Sequence, residues 1–102
     1  MRDLSAVRIA VTGAGGFLGR HVVEALAARG CRDVLTPSRG VCDLLDRSAS
    51  LGWMQSHKPD MVVHCAAATG GVGWNNTHAY EAFRDNLLMA LHLVDACIDC
   101  GV

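Results

Sequence analysis

The chain carries no block of like charge: nine basic residues balance ten acidic ones over 102 positions, a formal net charge of −1. Binders of nucleic acid or anionic membranes present a basic patch or stripe, so neither partner is expected, and a small molecule is. Long apolar runs are missing too. Charges or glycines interrupt every hydrophobic stretch before membrane-spanning length, and Arg2, Asp3 and Arg8 break up any signal-peptide core, which predicts a cytoplasmic protein with no membrane partner. Cys31, Cys42, Cys65, Cys97 and Cys100 are odd in number and irregularly placed, unlike the framework of a small secreted domain. Cys97 and Cys100 form a C-x-x-C inside a helical pattern, but no second Cys or His pair stands at a zinc-like spacing. Two packed helix thiols are therefore expected rather than a metal or redox centre. His21, His57, His64, His78 and His92 share no ligand spacing, and His64, within an apolar strand, reads as a hydrogen-bonded core residue rather than a base.

What remains is a hydrophobic chain, 51% apolar, of a length that suits one domain whose sheet is covered on both faces. Arg8 to Thr12 is a buried strand ending at a glycine cluster, and from Gly16 the residues Leu18, Val22, Ala25 and Leu26 recur at helical steps until Gly30 supplies a stop. Asp33 to Thr36 reads as a second strand and Val41-Cys42 as a very short third. Asp46 can cap a helix over residues 47 to 57, weakened by Gly52, and Met61 to Cys65 is a fourth strand. The segment "AAATGGVGWNNT" reads as a loop. Phe83, Leu87, Leu91, Val94 and Ile98 then mark one face of a long terminal helix, flanked by Ala90 and Cys97. Strands alternating with helices force right-handed parallel crossovers, so the expected fold is α/β, a doubly wound parallel sheet with strand order 3-2-1-4.

The glycines of "TGAGGFLG" stand between a buried strand and a helix. That turn needs a positive φ, and bare amides at the helix start, backed by the helix dipole, accept a pyrophosphate if no side chain intervenes. The spacing Gly13-x-x-Gly16-x-x-Gly19, with Gly15 as an extra, departs from G-x-G-x-x-G but sits in the required strand-turn-helix context. A tight turn with Gly19 allowing close helix-strand packing is the plainer alternative, and four glycines exceed its needs. An acidic residue for the ribose hydroxyls of NAD is missing from the end of the second strand, where Thr36-Pro37-Ser38-Arg39 offers a hydroxyl and a guanidinium suited to a 2′-phosphate. NADP is therefore preferred to NAD, against the alternative of a solvated loop arginine.

The stretches "VTGAGGFLG", "CDLLD" and "HCAAATGGVGWNNTHAYEAFRDNLLMALHLVDAC" together resemble the N-terminal half of the extended short-chain dehydrogenases/reductases, the NAD-dependent epimerase/dehydratase group. Within it, "AAATGGVGWNNT" followed by Asn86 is most similar to the GDP-L-fucose synthase subfamily, NADPH-dependent 3,5-epimerases and 4-reductases of GDP-4-keto-6-deoxymannose. The resemblance implies that Gly13 to Gly19 wrap the pyrophosphate with amides from Phe17 and Leu18. It implies that Asp43 accepts from the adenine amino group with Leu44 beside the ring, that Ala66, Ala67 and Ala68 line the ribose, and that Asn86 steadies the loops near the active site. Asp43 as a capping turn, the alanines as core packing and Asn86 as a solvent-facing polar residue are the alternatives. Thr69 to Asn76 would approach the nucleotide-sugar substrate, or Trp74 would cap the core.

Two departures qualify the resemblance. Many fucose synthases have a basic residue where this chain has Gly15, which leaves Arg39 alone to select the 2′-phosphate. The family's Ser or Thr and Tyr-x-x-x-Lys have no match either: position four after Tyr80, the only tyrosine, is Arg84, and Lys58 is the only lysine. The resemblance thus implies the cofactor half of a homodimeric enzyme, ending before strand five and inactive alone, with residues 61 to 65 an unpaired edge prone to self-association. A non-catalytic dinucleotide-binding module is the reading from a different class.

Overall fold

The computed structural model describes residues 3–69 and 72–102. A short 3-10 turn at Leu4–Ala6 leads into β1 (Arg8–Thr12), α1 (Phe17–Ala28), β2 (Asp33–Leu35), α2 (Arg47–His57), β3 (Met61–His64), α3 (Val72–Thr77) and α4 (Ala79–Cys100). Among the described residues these form one parallel sheet ordered β2-β1-β3. Arg8 stands opposite Asp33 on one side, and on the other Ile9 stands opposite Met61 and Thr12 opposite His64. The expected doubly wound order holds for its 2-1-4 part. The expected third strand does not form. The amides of Val41 and Cys42 both donate to the Ser38 carbonyl, at 3.0 and 2.9 Å, so the segment closes on itself as a turn and has no N–H left for the edge of β2.

β1 is the centre of three layers because both of its faces are apolar. Ile9 and Val11 pack with Val22, Val23 and Leu26 of α1, while Ala10 on the opposite face packs with Trp53 and Met54 of α2 and Leu93 and Ala96 of α4. Both α1 and α4 end at a glycine at positive φ, Gly30 just past the Arg29 cap of α1 and Gly101 as the cap of α4, as the sequence signals require. The N-terminus of α2 is set by Asp46, whose Oδ1 accepts the Ala49 amide at 3.1 Å. Asp46→Ala should destabilise the chain by about 1 kcal/mol in urea denaturation, with Asp46→Asn close to wild type; equal losses for both would rule out the cap.

The end of the sheet remote from the glycine turn is tied by Arg8. Its Nε donates to Asp33 Oδ2 and its Nη1 to the His57 carbonyl, both at 2.7 Å, while its amide donates to Asp60 Oδ2 at 2.8 Å. One residue therefore links β2, the end of α2 and the approach to β3.

α4 corrects a reading of the sequence. The face marked by Phe83, Leu87, Leu91, Val94 and Ile98 is exposed, from 49% at Leu87 to 72% at Ile98. The side turned to the core carries Met89, Leu93, Ala96, Cys97 and Cys100. Positions 89, 93, 96 and 100 lie about two residues, or roughly 200°, from 87, 91, 94 and 98, so the helix is apolar on opposite sides and only one is covered.

Candidate functional site

The turn after β1 is made of backbone. Gly13 takes φ +67°, and the Gly16 amide donates to its carbonyl at 3.1 Å. Gly16 is the N-cap of α1 and offers no side chain to cap it, so the first-turn amides open outward with the positive end of the helix dipole behind them. A Cβ at Gly15 would meet nothing within 4 Å, which leaves the approach to those amides clear. Gly19 has the opposite role: a Cβ there would overlap the Gly13 carbonyl oxygen and stand 2.7 Å from its carbon, so glycine is what lets the helix sit against the turn. Phe17 and Leu18, 78% and 62% exposed, flank the opening, with the Phe17 ring 4.7 Å from that of His21.

Opposite the turn stands the segment after β3. Gly13 lies so near that a Cβ on it would be 2.6 Å from the Ala66 amide nitrogen. Thr12 holds that segment through its hydroxyl oxygen, which accepts from the amides of Cys65 at 3.0 Å and Ala66 at 3.2 Å and lies 2.6 Å from His64 Nδ1. Asn86 reaches from α4 and clasps Ala68 on both sides, its Oδ1 accepting the amide at 2.6 Å and its Nδ2 donating to the carbonyl at 3.3 Å. It is half-buried and committed to the Ala68 backbone rather than facing solvent.

At the other end of the site Ser38 and Arg39 are exposed, and Arg39 makes no ion pair among the described residues. Asp43 uses Oδ1 to accept the Leu45 amide at 3.0 Å, so the carboxylate shapes its own turn. Leu44 is buried in the core, and its carbonyl accepts from His92 Nδ1 of α4 at 2.7 Å.

These pieces enclose a cleft of about 1000 Å³ at the C-terminal end of the strands. All the coenzyme-site residues named from the sequence line it except Asn86, which hydrogen-bonds Ala68 of its wall. Thr12, Asp85 and Met89 also line it and were missed. Thr12 directly precedes the glycine turn and Asp85 adjoins Asn86, but no motif rule assigns either position. Of the expected substrate loop, Thr69 lines the cleft, Gly70 and Gly71 fall outside the described residues, and Trp74 is half-buried in α3, stacked on His78 at 4.7 Å. Cys97 and Cys100 are free thiols packed against the core, and burial, then the neighbouring Cys100, pushes the Cys97 thiol above its ordinary pKa, the reverse of an activated cysteine. Among the described residues no three His, Cys, Asp or Glu side chains come together to hold a metal, and no helix is long and apolar enough to cross a membrane.

A dinucleotide suits this cleft. A diphosphate fits amides that no side chain covers, and the volume is that of a large ligand site. Parallel strands, helices on both faces and a ligand cleft beyond the strand ends, entered through a glycine turn, define a Rossmann-type nucleotide-binding fold.

Comparison with known proteins agrees. Residues 9–102 match the model of the NAD dependent epimerase/dehydratase family, and the chain belongs to that family. It is 28% identical over 96 residues to GDP-L-colitose synthase of Yersinia pseudotuberculosis, covering 94% of this chain and 31% of the relative. It is 32% identical over 87 residues to GDP-L-fucose synthase of Azorhizobium caulinodans, covering 85% and 28%. Among solved structures, GDP-mannoheptose C4 reductase from Campylobacter jejuni with NADP bound superposes with TM-score 0.87 at 22% identity, over 100% of this chain and 32% of that one. UDP-glucose 4-epimerase of Thermus thermophilus in complex with NAD gives TM-score 0.77 at 33% identity, over 93% and 35%. The chain thus spans about a third of the length of these proteins.

Proposed function

We propose that this chain is the dinucleotide-binding portion of a sugar-nucleotide epimerase/reductase that uses NADP, most like GDP-L-fucose synthase, with 3,5-epimerisation and 4-reduction of GDP-4-keto-6-deoxymannose as the reaction of the whole protein. The observation that carries the reading is the uncapped start of α1, where Gly13, Gly15 and Gly16 leave the amides accessible from a cleft that reaches Arg39 at its far end. The bound coenzyme would supply the hydride. The residues here would do the holding: the Phe17 and Leu18 amides the diphosphate, Ser38 and Arg39 the 2′-phosphate, Asp43 the adenine and the Ala66–Ala68 wall the ribose. Fucose-synthase and colitose-synthase relatives support the GDP-sugar class, and the NADP in the heptose reductase supports the coenzyme.

NAD in the 33%-identical 4-epimerase supports a second reading, an NAD-dependent 4-epimerase/dehydratase of the same family. A third reading is the non-catalytic dinucleotide-binding module. Titration calorimetry with NADP+ and NAD+ separates the first two and tests all three: tighter NADP+ binding is expected, tighter NAD+ binding selects the second reading, and no heat with either defeats all three. Five free thiols support the cytoplasmic setting.

The exposed face of α4 and the open edge of β3 support a homodimeric whole protein and self-association of this chain. Sedimentation should give a mass well above 10.8 kDa, falling toward it in a Leu87→Glu, Leu91→Glu variant. A wild-type monomer would refute this.

A further inference from the structure

The Thr12 hydroxyl has one proton to give and two lone pairs to offer. The Cys65 amide donates to the hydroxyl oxygen at 3.0 Å and shares its hydrogen with the Thr12 carbonyl at 3.1 Å, the Ala66 amide donates to the hydroxyl oxygen at 3.2 Å, and the third neighbour, His64 Nδ1 at 2.6 Å, is the partner left for the hydroxyl proton. His64 Nδ1 therefore accepts, and the ring is neutral with its proton on Nε2. With a proton on Nδ1 the same oxygen would face three donors while its own hydrogen lost its acceptor, which weakens its hold on the Ala66 amide, the one of the two that has no second acceptor in Thr12.

What the arrangement holds is the cleft. The Ala66 amide is the group against which Gly13 packs, and Ala66 begins the wall that Asn86 clasps at Ala68. We propose that His64 is a positioning residue of the dinucleotide site, acting through Thr12 to keep the alanine wall in register with the glycine turn only while its Nδ1 carries no proton, so that acid loosens the coenzyme. This rests on the dinucleotide reading above.

His64 is solvent-exposed as a residue, but its Nδ1 side lies against buried Thr12. Burial of the ring alone sets its pKa below the ordinary 6.5, and none of the charged groups that line the cleft, Arg20, Arg39, Asp43 and Asp85, contributes to the shift. Its folded pKa being depressed, the arrangement is complete above the unfolded value and is lost as pH falls through the folded one.

Three measurements test this. Nitrogen-detected imidazole spectra of the free chain should show His64 as the Nε2–H tautomer; an Nδ1–H tautomer overturns the proposal whatever binds in the cleft. NADP+ affinity should fall between about pH 8 and about pH 5.5 by roughly three- to tenfold more in wild type than in His64→Asn, whose Oδ1 replaces the Nδ1 acceptor without titrating. The paired design cancels ionisation of the coenzyme's own 2′-phosphate, which lies in the same range. The same pH dependence in both proteins overturns the proposal and leaves the dinucleotide site standing. No binding at either pH in either protein defeats the dinucleotide reading and this role with it. The melting temperature of the free chain should likewise drop more on acidification in wild type than in His64→Asn, and equal drops count against the proposal.

Discussion

Gly19→Ala will abolish dinucleotide binding and cost the chain on the order of 3 kcal/mol, at the upper end of what overpacking does. The added carbon has nowhere to go. It would overlap the Gly13 carbonyl oxygen, lie 2.7 Å from the Gly13 carbonyl carbon and 2.9 Å from the Ala14 Cα, all backbone atoms. A flexible side chain could swing away, but here either the turn must open or α1 must back off β1, and both displace the amides that face the diphosphate. Gly15→Ala is the control, since its methyl group meets nothing within 4 Å. That variant should melt within a few tenths of a kcal/mol of wild type, as an exposed substitution does, and lose affinity only through crowding of the ligand. Thermal melts and calorimetry on both variants decide the matter. A Gly19→Ala protein as stable as Gly15→Ala would show that the close approach of helix and turn is not what the fold depends on.

Arg39→Ala will weaken NADP+ binding by about 1.5 to 3 kcal/mol, the worth of a hydrogen bond to a charged group, and leave NAD+ nearly unchanged. The selectivity follows from what Arg39 touches without ligand. It is exposed at the rim of the cleft and forms no ion pair among the described residues, so its loss leaves no buried partner unsatisfied and has little effect on stability. Ser38 beside it contributes a hydroxyl, while its carbonyl is occupied by the turn to Val41 and Cys42. With glycine at position 15, no cation in the glycine turn shares the task. Parallel titrations of both coenzymes against wild type and variant measure the effect, and equal losses for the two would show that Arg39 does not read the phosphate.

The parts of the fold legible in the sequence are those where one local signal decides the structure. The branched run of β1, the glycines that end it, Asp46 as the cap of α2 and the apolar run of β3 each stand where they were read. Val41-Cys42 misled because two apolar residues suit a strand and a turn equally well, and what decided between them was the Ser38 carbonyl. α3 is six residues with two asparagines and a glycine, too short and too polar for a periodic signal. α4 was located, but a helix apolar on two sides gives no sign of which side its own sheet takes. In the site, the glycine turn was legible because its spacing is tied to a strand end, whereas the alanines were named only through the family resemblance, and they line the cleft. Thr12 as a three-way hydrogen-bond hub and Asp85 at the cleft were not, since both depend on neighbours more than fifteen positions away in the chain.

Arg8 and Thr12 open and close the same five-residue strand, and each gathers partners from β3 or its flanks. The Arg8 contacts are exposed and remote from the cleft, whereas the Thr12 contacts are part-buried beside it. The remote end of the sheet and the wall of the cleft are thus fastened by separate residues at the two ends of one strand. The distal pole can therefore loosen without moving the cleft wall, whereas any displacement of Thr12 reaches the Cys65 and Ala66 amides directly.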